Sequence, residues 1–117
     1  MTALRNAIDR TALGWVKPEL DALLGQARLE VEAWAEHPAD KAALTTCADL
    51  LQQVRGSLQM LALPSSALLA DELRLLALAT RDGATNDTDA SSALLMRGLV
   101  QLPDYLERLQ GGHRDVP

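Results

Sequence analysis

Leu44-Thr45-Thr46-Cys47-Ala48-Asp49-Leu50-Leu51-Gln52-Gln53-Val54-Arg55-Gly56-Ser57-Leu58-Gln59-Met60-Leu61 has apolar residues at 44, 47, 51, 54, 58 and 61, in alternating steps of three and four. An α-helix turns once every ~3.6 residues, so this spacing draws one continuous apolar stripe along one side. The stretch reads as an amphipathic helix that needs partners on that side. Asp40 is placed to cap its start, and Pro64 ends the pattern.

Working outward, the same periodicity returns on both sides. Downstream, Ser65 or Ser66 is a candidate cap for a third helix with Leu69, Leu73, Leu76 and Thr80 on one face, closed by Asp82 and Gly83. Ala84 to Ser91 holds Thr, Asn, Asp and Ser without apolar anchors, which predicts a surface loop with several candidate caps. A fourth helix follows with Leu95, Leu99, Leu102, Leu106 and Leu109, a kink expected at Pro103, and a stop at Gly111 and Gly112. Upstream, Leu13, Val16, Leu20, Leu23, Ala27, Val31 and Trp34 mark a first helix that ends at His37 and Pro38. Pro18 predicts that its regular part begins near Lys17, with Thr11 to Val16 as a separate turn or kinked extension.

Four amphipathic segments with short connections predict an all-α fold, an antiparallel up-down four-helix bundle. The chain of 117 residues suits one domain, 1–117, with a core over about 11–111 and frayed tails at 1–10 and 113–117. Its 48% apolar content comes almost wholly from Leu and Ala, strong helix formers, with no Phe, one Tyr and two Trp. Leu51, Val54, Leu58, Leu73, Leu76, Leu99 and Leu106 are expected to be buried together.

Charge and composition exclude several functions. A formal net charge of −5 without a Lys/Arg cluster gives a phosphate backbone nothing to bind, so no nucleic acid is expected. No run approaches the roughly 20 apolar residues of a membrane span and no signal core opens the chain, so no membrane insertion is expected and the reading is cytoplasmic. The single Cys47 reads as a small core residue. His37 and His113 offer neither Glu-x-x-His spacing nor an axial pair, so no metal and no cofactor are expected. Met60 and Met96 read as gap-fillers or rim residues, and Trp15 and Trp34 as anchors at the core edge unless exposure makes them binding residues. Glu19, Asp21, Glu30, Glu32 and Glu36 lie mainly off the stripe of helix one, as a solvated face or as an acidic docking surface for a basic partner.

On the second helix Ala48, Gln52, Arg55, Gly56 and Gln59 lie opposite or beside the stripe, and they are expected to form an exposed interaction face. Gln52-Gln53-Val54-Arg55-Gly56-Ser57-Leu58-Gln59-Met60-Leu61 followed by Leu68-Leu69-Ala70-Asp71-Glu72-Leu73 resembles the histidine-phosphotransfer (Hpt) domain. In that family a His, two variable residues, a cation and a Gly share one exposed helix face. Here Arg55 supplies the cation and Gly56 the clearance, but Gln52 stands at the acceptor position. A carboxamide nitrogen is delocalised into its carbonyl and does not attack phosphorus, so the resemblance implies a domain without catalytic residues.

Leu13-Gly14-Trp15-Val16-Lys17, Gln101-Leu102-Pro103-Asp104-Tyr105-Leu106 and a closing Gly-x-Arg-Asp extend the likeness over residues 13–115. They are similar to the N-terminal module of the ChpA/PilL chemosensory kinase of type IV pili and its stand-alone relative FimL. That resemblance implies a noncatalytic module ahead of a kinase core lying beyond Pro117, recruited to the cell pole. The implied partner is a polar pilus-assembly scaffold such as FimV, or a response-regulator receiver domain. Two alternatives stay open from the residues themselves: a structural or dimerisation bundle, and a phosphotransfer protein using another acceptor.

Overall fold

The computed structural model describes the backbone of residues 2–84 and 87–111, and the side chains of those from residue 11 onward. Four helices follow in order: α1 (Thr2–Glu36), α2 (Ala42–Met60), α3 (Pro64–Arg81) and α4 (Thr88–Gln110), with no strand among the described residues. Each packs on two others: α1 on α2 and α4, and α3 on the same two. Short links at 37–41 and 61–63 join α1 to α2 and α2 to α3, and with α4 packed on both α3 and α1 this gives the up-down bundle.

The predicted stripes meet along the bundle axis. Leu13, Leu20, Ala27, Val31 and Trp34 of α1, Leu44, Cys47, Leu51, Val54 and Leu58 of α2, Leu73 and Thr80 of α3, and all five predicted leucines of α4 are buried. Small residues do more than the stripe pattern suggested. Ala67, Ala70 and Ala77 form much of the inner face of α3, whereas Leu69 and Leu76 pack at its edge, so Leu76 is half-buried rather than central. Leu24 takes the inner place in α1, and Leu23 is half-buried. Among the buried hydroxyls, Thr80 Oγ1 donates to the Leu76 carbonyl at 2.8 Å and lies 3.1 Å from Ser91 Oγ, which donates to the Thr88 carbonyl at 3.0 Å. Polar groups buried between α3 and α4 are thereby satisfied.

Helix ends depart from the sequence reading in instructive ways. α1 is continuous through Pro18 and extends back through residues 2–10, where a frayed tail was expected. Its 35 residues reach about 52 Å at ~1.5 Å per residue, matching the 51 Å long axis of the molecule. The other expected tail, 113–117, lies outside the described residues. α3 starts with Pro64 after Leu63, not with a Ser65 or Ser66 cap; proline's fixed φ and missing N–H suit the first helical position, and Ser66 is buried. Asp40 does accept from Ala42 N at 3.1 Å, one residue ahead of the helix boundary at Lys41. Asp87 caps α4 by accepting from Ala90 N at 3.1 Å. α4 runs on through Pro103 as one helix, from Thr88 to Gln110.

Two helices end in the same hydrogen-bond pattern. After α3, Ala84 N donates to the Ala79 carbonyl and Gly83 N to that of Thr80, with Gly83 at φ 70°. After α2, Leu63 N donates to the Leu58 carbonyl and Ala62 N to that of Gln59, with Ala62 at φ 58°. This left-handed reversal suits glycine, and α2 closes it with an alanine.

Candidate interaction face

The α2–α3 reversal sets α3 alongside the last turns of α2, which decides what surrounds Gln52, Arg55, Gly56 and Gln59. Gln52 and Gln59 are exposed, and Gly56 is half-buried. A Cβ built on Gly56 would meet nothing within 4 Å. No packing inside this domain explains the glycine, although a mid-helix glycine costs about 1 kcal/mol relative to alanine.

Ala48 does not belong to this face. It is 4% exposed, because α2 packs on both α1 and α3 and its buried arc is wider than the 44–61 stripe alone. The open face therefore begins at Gln52 and runs to Gln59. Met60, next along the helix, is 89% exposed.

Arg55 is already engaged. Its guanidinium reaches Asp71 Oδ1 on α3 at 2.9 Å, and Arg74 reaches the same oxygen at 2.9 Å. Hydrogen bonding from Arg74 holds the Asp71 carboxyl below the usual carboxylate range; desolvation opposes it, and hydrogen bonding from Arg55 adds to the lowering. The cation one turn from Gln52 is thus held by a carboxylate of its own domain. This pairing joins residues 16 apart in sequence, and nothing local in the sequence signals it.

A surface groove of about 580 Å³ adjoins the face at the α2–α3 reversal, lined by Arg55, Gln59, Ala62, Leu63, Pro64, Ala67, Leu68 and Asp71. Leu68 separates it from a second groove of about 460 Å³ between α3 and α4, bordered by Leu69, Glu72, Gln101, Tyr105 and Arg108. Cys47 is fully buried, and desolvation pushes its thiol up to about 12, with the Glu30 charge adding to the effect. It is a core residue without reactivity. Trp34 anchors the core edge as expected, while Trp15 is 84% exposed and is the aromatic side chain that the packing leaves to solvent. Among the described residues, no helix is long and apolar enough to cross a membrane.

An open helix face without a nucleophile thus lies beside two grooves. The chain is similar to the scaffold protein FimL. It is 31% identical to FimL of Pseudomonas aeruginosa over 107 residues, 92% of this chain. The chain spans 19% of the length of that relative. No protein-family model and no solved structure matches, so the histidine-phosphotransfer likeness rests on the residues of α2 and α3 quoted above.

Proposed function

We propose that this chain is a non-phosphorylatable, Hpt-like protein-interaction module of a type IV pilus (twitching motility) chemosensory two-component system. On this reading it is the N-terminal docking domain of the hybrid histidine kinase or the equivalent part of a scaffold resembling FimL. The observation that carries the reading is Gly56, a mid-helix glycine above open space, between exposed Gln52 and Gln59. The clearance that a docking partner needs is present, while the nucleophile it would phosphorylate is not. Similarity to a protein named as a scaffold supports a role in binding rather than in chemistry.

The partner is a protein of the pilus machinery, a polar assembly scaffold such as FimV, with a receiver domain as the competing occupant. Arg55, held by Asp71, lends the groove a cation without a phosphate to steady. Recruitment to the cell pole then follows from the partner's location and not from any property of this chain.

The test is a binding titration of both candidate partners against the chain and two variants. Gly56→Trp and Arg55→Glu should each weaken binding by about tenfold or more if the α2 face is used. Unchanged affinity in both, with helicity intact by circular dichroism, moves the contact elsewhere. In the same preparation, incubation with a phosphorylated receiver or with a histidine kinase and ATP should leave no stable label. Acid-labile phosphate on the chain would favour the other reading, a phosphotransfer protein using an unrecognised acceptor.

A further inference from the structure

α1 has a second apolar stripe. Trp15, Pro18, Ala22, Gly25 and Leu29 recur in steps of three and four, on the side of the helix opposite the core residues Leu13, Leu20, Leu24, Ala27 and Val31. This stripe faces outward: Trp15 is 84% and Leu29 55% exposed, and Pro18 and Ala22 are exposed as well. At Gly25 a Cβ would meet nothing within 4 Å. Glycine inside a helix weakens it, and here no neighbour within the domain needs the space. Something from outside must use it, or the residue has no structural reason.

We propose that this outer face of α1 pairs, antiparallel, with the same face of a second copy of the chain. The stripe fits itself in that orientation. Spaced as a heptad seam, it sets Ala22 against Gly25 of the second copy at the crossing point, so the two helices approach closely. Pro18 then meets Leu29, and Trp15 covers the side-chain stem of Glu32. Bulky residues at the ends face smaller or flexible ones, and the smallest sit together in the middle.

The flanking charges agree with the same register. Asp21 falls opposite Arg28 of the second copy, twice by symmetry, and Glu19 falls opposite Gln26 instead of another carboxylate. Within the chain Asp21 pairs with Lys17 through Oδ2 at 2.7 Å, and its side chain is 41% exposed. Arg28 is exposed and makes no ion pair among the described residues. A helix of an unrelated protein would require no such self-complementarity. The face is separate from Gln52 and Gly56 on α2, so pairing neither depends on the proposed function nor blocks it.

Sedimentation equilibrium of this chain up to millimolar concentration tests the pairing. The mass should rise from 12.6 kDa towards twice that value. Gly25→Leu, at a position where a Cβ meets nothing within 4 Å, and Leu29→Glu should each raise the dimer dissociation constant about tenfold or more. Arg28→Asp should weaken pairing, and the double variant Asp21→Arg with Arg28→Asp should restore it, since the exchange recreates both ion pairs across the interface. A chain that stays at 12.6 kDa throughout overturns the proposal, whether or not another protein binds the stripe. A dimer indifferent to Gly25→Leu and Leu29→Glu, both folded by circular dichroism, overturns it equally. Failure of the double variant to recover rules out the antiparallel register.

Discussion

The Leu73 side chain fills the space that a Cβ on Gly98 would need, so α3 and α4 approach each other through a missing methyl group. Gly98→Ala should gain about 1 kcal/mol of helix propensity but lose roughly 1–3 kcal/mol to overpacking against a buried leucine. The expected net change is a loss of about 1 kcal/mol. Gly56→Ala, where the same methyl meets open space, should instead stabilise by up to about 1 kcal/mol. Urea unfolding of the two variants side by side checks the opposite signs.

Ala62 sits at φ 58° in the reversal that Gly83 makes at φ 70° after α3. A left-handed conformation costs a residue with a Cβ roughly 1–2 kcal/mol. Ala62→Gly should therefore raise stability, by about 1 kcal/mol once the greater freedom of glycine in the unfolded chain is subtracted. Gly83→Ala should lower it by a similar amount. A thermal melt in which Ala62→Gly destabilises would show that the turn is held in some other way.

Leu58 is completely buried at the point where α2 meets its neighbours. Leu58→Ala removes its contacts and leaves a cavity that rigid helices close poorly, so the loss should be about 2–5 kcal/mol. Chemical denaturation with an unchanged m-value would separate this loss from a change in the unfolded state.

Asp71, bound by Arg74 and Arg55, has a folded-state pKa below its unfolded value of about 3.9. A depressed acid contributes stability that is fully present above the unfolded pKa and disappears as pH falls through the folded one. The stability difference between the wild-type chain and Asp71→Asn should accordingly be constant near neutral pH and shrink below about pH 4. Melting temperatures measured across that range decide it; a difference that persists at the acid end would show that the two arginines do not act through the carboxylate charge.

Leu44, Cys47, Leu51, Val54 and Leu58 were legible as core because about four turns of one helix, at ~3.6 residues each, repeat the same side, a signal that no neighbour can alter. The same pattern misjudged Ala48, which is buried, and Leu76, which is half-buried, since alanine carries little periodic contrast and the width of a buried arc depends on how many helices press on it. Trp15 could be read as an anchor or a contact residue from its type alone; its exposure was settled by which side of α1 the core occupies.

From its sequence by itself this protein is determined to be a helical bundle with a carboxamide, Gln52, on its second helix. Both are local facts: hydrophobic spacing and the electronic structure of one side chain do not depend on the fold. Only the tertiary structure decided that Arg55 is held by Asp71, that Gly25 and Gly56 lie beneath open space, and that Gly98 is filled by Leu73. Those are relations between helices brought together by loops, and helical periodicity fixes the direction in which a side chain points but not the residue it will meet there.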